Sequence, residues 1–502
     1  MRTLTRTAMR CAPGALGALG APLVHGVLWV MLAVFGVASA GCTSIIRGTV
    51  RTHDLAPNGL SRADDAFRRS LVTGGYTAAF ARTRSAKNGA PDDVLLRALY
   101  RGLTGLYAGQ LDESAAAFAL ADRLADERIT RSASRSAMSL VLNDAVLPFM
   151  PSRTERLMLH FYAMQAYDRA GRPTDALVEA RKLGASLEGV NLPTLSGAER
   201  ALHATLRDAA GAMFESAGEQ NDALVSYRNA ALLRGASRGY VDSVRLAPPR
   251  GDSAILVVFV ESGFVAHRVD RSLTIALGPD SSVADSGWTD RDDWTSSGQW
   301  GGDRTMHLGG RSATFVRVAW PALVRARAME HDMTFTLADG QLKNVSASSS
   351  LAAQGADLSN ALAADFRRAR PWMLTRAIAR SLAKGATTEA LREKHGEWAG
   401  ALASMAGSAI ERADTRSWQL LPERLSVVRL MVPAGRQSAA VRIANREDGD
   451  LTVRIPEVEV AAGETRVVST RLWRSNVELR PPVAASRDIT NDTFRAQLRT
   501  RR

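Results

Sequence analysis

The stretch "GAMFESAGEQNDALVSYRNA", Gly211–Ala230, decides how the first half of this chain folds. Its apolar residues recur at three- and four-residue spacing, the signature of an amphipathic helix, and Gly218 interrupts that pattern once. Two earlier segments share the plan: "GLTGLYAGQLDESAAAFALA" at Gly102–Ala121 and "MQAYDRAGRPTDALVEARKL" at Met164–Leu183. Aligned on Gly109, Gly171 and Gly218, each has a small residue five positions on: Ser114, Ala176 or Ala223. Phe118, Ala180 or Tyr227 follows, then Ala121, Leu183 or Ala230. Gly102, Met164 and Gly211 stand seven positions before the aligned glycine, and Tyr167 and Phe214 share an aromatic position. Small residues let two helices approach closely, the glycine permits the turn, and the large residue fills the groove between them.

This pattern resembles the tetratricopeptide repeat, a helix–turn–helix unit of about 34 residues. The aligned glycines lie 62 and 47 residues apart, so an irregular array with insertions is expected rather than a clean solenoid. The alternative is a generic alanine-rich helical bundle. The resemblance implies an array that binds proteins or peptides rather than one that does chemistry.

A longer stretch, "LVLNDAVLPFMPSRTERLMLHFYAMQAYDRAGRPTDALVEARKL" at Leu140–Leu183, carries a second likeness. Asn143-Asp144, Phe149, Glu155, Tyr162 and Val178–Arg181 fall in the order found in a family of poorly characterised bacterial envelope lipoproteins with tetratricopeptide-like helices. "VVFVESG" (Val257–Gly263), "RPWMLTRAIARSLAK" (Arg370–Lys384) and "ADTRSWQLLPERLSVVRLMVPAG" (Ala413–Gly435) are similar to later segments of that family. The resemblance implies an envelope location and a scaffold-like build, and no particular reaction.

The texture changes at Ser253. "AILVVFVESG" is a β-branched apolar run typical of a buried strand. "RSLTIALG", "SATFVRVAW" and "DMTFTLADGQLKNVSAS" add shorter strands, the last with an Asp339-Gly340 turn. Helices return between Leu351 and Ala413, with Pro371 suited to the first turn of a helix over Trp372–Lys384. From Leu425 strands alternate with Pro-Ala-Gly, Glu-Asp-Gly and Ala-Ala-Gly-Glu turns, as in a small antiparallel sandwich or appended sheet. The expected fold class is α+β and multidomain. A helical, tetratricopeptide-like array comes first, then a mixed β domain with an inserted helical hairpin. The expected boundaries are a helical domain at 61–238, a β-rich segment at 250–350, a helical insertion at 351–413, a β-rich segment at 414–475 and a basic tail at 476–502.

The N-terminus reads as a leader. Arg2, Arg6 and Arg10 precede an apolar core, Val27–Val37, which is short for a membrane span. Ser39-Ala40-Gly41-Cys42 then resembles the bacterial lipobox, with Ser39 where leucine is commonest. An ordinary leader cut after Ala40 is the alternative. On the lipobox reading, residues 1–41 are removed, 42–60 form a linker, and Cys42 carries lipid. Cys11 leaves with the leader, so no disulfide remains possible. Residue 43 is Thr rather than the Asp that favours inner-membrane retention, so the resemblance implies the periplasmic face of the outer membrane.

The net charge of +13 falls to +10 without the leader arginines. A nucleic-acid partner is not expected. Only five of the basic residues are lysines against 59 arginines, a skew typical of GC-rich coding, and the arginines are spread throughout. The tail "RSNVELRPPVAASRDITNDTFRAQLRTRR" is the most basic stretch and is expected to be solvated.

The chain has no HExxH, CxxC, GxSxG or phosphate-loop motif, and its histidines are scattered, so no catalytic residue, cofactor or metal is expected. His160 reads as a hydrogen-bonded core residue of a repeat helix. Glu179 and Arg181 fall beside the repeat seam, where an Arg–Glu network would fix a helix pair. Asp414, Arg416 and Trp418 are either a ligand-facing cluster or a buried junction where helices meet the final strands. Trp288, Trp294 and Trp300 recur every six residues in the polar loop Asp285–Thr305. They would either stack on sugar rings or cap the strands, and Asp290, Asp292 and Asp293 could take calcium through oxygen ligands, although they match no EF-hand. The leading expectation is a non-enzymatic, lipid-anchored scaffold for an envelope protein partner. The alternative is a glycan-binding or peptidoglycan-binding lipoprotein using the Trp loop.

Overall fold

The computed structural model describes residues 60–134, 147–188, 194–243, 246, 249, 251–277, 282–285, 314–325, 332–337, 345–346, 355–395, 413–444, 451–472 and 483–484. The expected leader, Cys42, the expected linker before residue 60 and the tryptophans of the polar loop lie outside them, as does the chain beyond Ala484.

The protein is α+β. Nine α-helices of the described residues come first: α1 (Arg62–Val72), α2 (Tyr76–Arg82), α3 (Val94–Ala108), α4 (Leu111–Ser134), α5 (Arg153–Arg169), α6 (Pro173–Glu188), α7 (Gly197–Ser216), α8 (Gln220–Leu233) and α9 (Arg238–Ser243). Helices α3 and α4, α5 and α6, and α7 and α8 pack as consecutive pairs. Gly109, Gly171 and Gly218 hold the three intervening turns with φ of 73°, 75° and 81°, a left-handed conformation that a Cβ would strain. The next amide in each turn reaches back to the helix: Gln110 to Gly105 O, Arg172 to Tyr167 O and Glu219 to Phe214 O, all at 2.9 Å. Ser114, Ala176 and Ala223 are buried beyond these turns.

The close approach within a pair has a measurable cause. A Cβ at Gly102 would lie 2.6 Å from the Phe118 ring, and one at Gly211 would lie 2.8 Å from the Tyr227 ring. The middle pair inverts the arrangement, with Met164 at the glycine position and Ala180 at the aromatic one, both fully buried. Volume is conserved across each pair although its residues are not.

Twelve strands follow the helices: β1 (Ser253–Ser262), β2 (His267–Leu277), β3 (Ser282–Asp285), β4 (Thr314–Val324), β5 (Asp332–Leu337), β6 (Val345–Ser346), β7 (Ala356–Asp357), β8 (Arg424–Pro433), β9 (Gly435–Ala444), β10 (Leu451–Val460), β11 (Thr465–Leu472) and β12 (Val483–Ala484). They form three sheets, ordered β12-β11-β1-β8-β7, β10-β9-β5-β6 and β3-β2-β4. Strand β1 runs parallel to β11 (Ile255 opposite Thr465) and antiparallel to β8 (Leu256 opposite Leu430), so this sheet is mixed. Ile255, Val257 and Phe259 join the helical core, while Ala254, Leu256, Val258 and Val260 pack with Val428, Leu430, Val458 and Val468 in a second core. Burial on both faces explains the unbroken apolar run of β1.

Two expectations of the second half are corrected. The final strands are not a separate sandwich: β8 and β11 flank β1, and β9 and β10 join β5. Strands β8, β9 and β11 find partners far earlier in the chain, which local alternation cannot reveal, while β10 pairs with its neighbour β9. The inserted hairpin is, within the described residues, one helix, α10 (Leu358–His395), and Pro371 lies inside it rather than in its first turn. Proline forfeits one backbone hydrogen bond there, and the carbonyl of Pro371 accepts from Thr375 Oγ1 at 2.9 Å. Among the described residues no helix is long and apolar enough to cross a membrane.

Candidate functional site

Among the described residues, the sequence's candidate residues fall in three places. Trp418, Asp414 and Arg416 belong to the junction between the helices and the mixed sheet. Trp418 is fully buried, 6.1 Å from the Phe118 ring and 5.7 Å from that of Tyr162. Its backbone N–H donates to Glu155 Oε1 at 2.6 Å. Glu155 is also the partner of Ser152 in the capping box that starts α5, so one carboxylate caps a helix and anchors a strand-side segment. Arg416 pairs with Asp414 at 2.7 Å and donates to Leu147 O at 2.8 Å. Trp418 thus belongs to the buried junction, while Asp414 and Arg416 stay partly exposed beside it.

Sequence reasoning missed the centre of that junction. Glu261, at the end of β1, accepts from Tyr162 Oη at 2.6 Å and Tyr107 Oη at 2.9 Å. Arg471 of β11 lies 3.8 Å from the same carboxylate, donates to the Tyr107 oxygen at 2.8 Å, and also donates to Leu420 O and Gly263 O. Burial pushes the Glu261 carboxyl up, against Arg471 and the two tyrosine donors that pull it down. Burial likewise raises both phenols. A buried Glu within an apolar strand run was the available signal, but nothing local says which tyrosines would meet it. Arg68 ties α1 to the same region by donating to Gln419 O at 2.8 Å and Val265 O at 3.0 Å.

Glu179, with His160, belongs to a second cluster on the outward side of the helix pairs. His160 of α5 is buried, and its Nδ1 lies 2.8 Å from Glu179 Oε2 of α6. Its Nε2 is 3.8 Å from Asp122 of α4. Lys182 Nζ lies between the carboxylates, 2.8 Å from Asp122 Oδ2 and 2.8 Å from Glu179 Oε1. Burial raises the Glu179 carboxyl, but hydrogen bonds from His160 and Lys182 outweigh it and hold the group below its usual range. Asp122, His160 and Glu179 have the donor types of a divalent-cation site. The Lys182 ammonium, however, already supplies the positive charge these carboxylates need. The cluster opens on a shallow groove of about 600 Å³ bordered by Asp126, Arg123 and Tyr167.

Arg181 does not join Glu179. It pairs with Glu219 and stands 5.7 Å from the Phe214 ring, so it bridges the second helix pair to the third. The expected Arg–Glu network thus divides into a His–Glu–Lys–Asp cluster and an Arg–Glu bridge. The reason is helical geometry: residues two apart on α6 point to different sides. Of the expected packing positions, Tyr167 is half-buried under Arg172, whose guanidinium sits 4.7 Å from its ring, and Phe214 is buried. Compared with protein-family models, with curated proteins and with solved structures, the chain matches none.

Proposed function

We propose that this protein is a non-enzymatic scaffold of the bacterial envelope, anchored by lipid on Cys42 at the periplasmic face of the outer membrane, whose helix pairs hold a protein partner. The reading treats the pairs as a tetratricopeptide-like array. The observation that carries it is the threefold recurrence of one turn, with a left-handed glycine and the same backed-up amide bond at Gly109, Gly171 and Gly218. Stacked units of that kind build extended surfaces suited to protein partners.

The face available to a partner is set by the sheet. Helices α5 and α7 are buried along most of their length, and Phe161 meets Phe259 of β1 with ring centroids 5.5 Å apart. The second helices of the pairs look outward, with Val178 of α6 and Val225 and Leu232 of α8 exposed. A partner would therefore engage α4, α6 and α8 or the rim of the sheet.

Photo-crosslinking from residue 178 or 225 in intact envelopes, followed by mass spectrometry, tests this reading. One recurrent partner is expected. Crosslinks to abundant bystanders alone would overturn the scaffold role. The anchor is tested separately: Cys42→Ala is expected to release the protein from the membrane fraction, and an unmodified mature N-terminus in the wild type would refute lipidation.

A further inference from the structure

The C-terminal ends of α5 and α7 leave a cavity of about 310 Å³ against β11. Its helical wall includes Gln165, Asp168, Arg169 and Met213, and its other wall is the consecutive run Glu464–Ser469. Two independent features of this cavity point to a ligand.

The first is the strand edge. Strand β11 pairs with β1 from Thr465 to Leu472. On its other side β12 covers only Ser469 and Thr470. Among the described residues, no strand pairs with Thr465–Val468 on that side, so the backbone there offers a template for another strand.

The second is a pair of polar atoms, one helical turn apart on α5, that no described residue satisfies. Gln165 is 4 % exposed, and its Nε2 donates to Phe161 O at 3.2 Å. That bond fixes the orientation of the amide and leaves Oε1 buried without a partner. Arg169 donates from Nη1 to Leu106 O at 3.0 Å, yet its buried Nε–H also has no partner. Burial lowers this guanidinium to about 10, with Asp168 opposing the shift, so it stays cationic at neutral pH. Two residues that line the cavity thus carry one buried acceptor and one buried cationic donor unpaired among the described residues, beside a strand edge that needs both kinds of partner.

We propose that this groove binds an extended peptide of a partner protein, added to β11 as a further strand and placing an Asp or Glu carboxylate on Arg169. The proposal rests on the scaffold reading and names the kind of segment a partner would insert. Main-chain hydrogen bonds to Thr465–Val468 would supply affinity, and the carboxylate on Arg169 would supply selectivity. Met213 and Val467 would receive a neighbouring apolar side chain.

The test is selection of phage-displayed nine-residue peptides against the full chain, with the enriched sequences then synthesised. Enriched peptides are expected to carry Asp or Glu beside β-branched residues. Their affinity should fall at least tenfold with Arg169→Gln, and equally when the peptide acid is changed to its amide, with no further loss when both changes are combined. Backbone amides of residues 465–468 should exchange more slowly in the complex. If Arg169→Gln does not fold, Gln165→Leu is read in the same way, with a smaller expected loss. Absence of enrichment, or equal binding to the variants, would overturn the proposal. So would binding seen only after removal of residues 485–502, which would assign the groove to the chain's own tail. Crosslinking to a partner that persists in Arg169→Gln would leave the scaffold role standing without this groove.

Discussion

Single residues carry opposing jobs here, and Glu261 is the sharpest case. Its buried carboxylate is held by two tyrosine hydroxyls and by Arg471. Tyr162→Phe removes one donor without changing the packing volume, so unfolding in urea should show a loss of about 1–3 kcal/mol. An unchanged midpoint would mean that the hydroxyl is not a partner of Glu261. Three other buried groups give stability a pH dependence. Burial and the nearby Arg153 depress His203 to about 4, with Glu199 opposing and Arg207 adding to the effect. Between pH 6.5 and 4 the unfolded chain then binds the proton that the folded one refuses, so stability falls as the pH falls through that window. Glu199 is held at about 2: burial raises it, but Arg368, whose Nη1 lies 3.1 Å away, and Ser196 outweigh burial. Its contribution is present above about pH 4.5 and is lost as the pH falls towards 2. Asp208, raised to about 6 by burial against Arg234, works in the opposite sense, its folded form favouring protonation below pH 6. Differences in Tm from the wild type therefore isolate each group. His203→Gln should flatten the upper window and Glu199→Gln the lower one. Parallel Tm–pH curves for wild type and His203→Gln would sink the assignment for His203.

At the level of elements, the recurring large-and-small exchange can be tested by transplanting it. The third pair places Gly211 against Tyr227, whereas the second places Met164 where Ala180 stands opposite in the alignment. Gly211→Met alone should cost about 1–3 kcal/mol through overpacking against the Tyr227 ring. Adding Tyr227→Ala should recover part of that loss, less the hydrogen bond that Tyr227 gives Glu215 at 2.8 Å. A double-mutant cycle without favourable coupling would mean that the two positions do not share one space. These elements were also the most legible in the sequence. The glycines at 109, 171 and 218 mark turns that depend only on local conformation, and the small residues after them report contacts between neighbours in the chain. The mixed sheet was less legible because its pairing is long-range. "AILVVFVESG" announces a buried strand, but nothing in it tells that β11, some 200 residues later, runs parallel beside it. Pro371 misled for a related reason. Its local preference for a first turn was overridden by a helix that continues on both sides of it. Trp418 was legible as a junction residue, yet its partners Glu155, Phe118 and Tyr162 come from two separate helix pairs.

For the molecule as a whole, the decisive feature is that the helix pairs do not stand alone. The described residues form one compact unit, and one core runs from Phe67 and Tyr100 through Phe161 and Met213 to Ile255, Phe259, Trp418 and Val427. Polar contacts follow the same path: Glu155 to the Trp418 amide, Glu199 to Arg368 of α10, Glu215 to Arg429 of β8 at 2.6 Å, and Tyr107 and Tyr162 to Glu261. An ordinary repeat array has nearest-neighbour stability and tolerates removal of what lies beyond its end. Here the first helices of the pairs are buried against the sheet, so the two halves should fold together. The chain without residues 1–41 is therefore expected to unfold in urea as one transition, with far-UV circular dichroism and tryptophan fluorescence coincident. Trp418→Ala should lower the stability of both halves by about 3–5 kcal/mol, because a large side chain leaves the shared core. A fragment ending at residue 243 should expose the apolar faces of α5 and α7, bind a hydrophobic dye and self-associate. Two separated transitions in the intact chain, or a monomeric fragment with the same Tm as the whole, would show that the helical layer is self-sufficient. In that case the buried face of α5 and α7 would be open to a partner whenever the sheet lifts away. Coincident transitions would confine any partner to the outward helices and to the edge of β11.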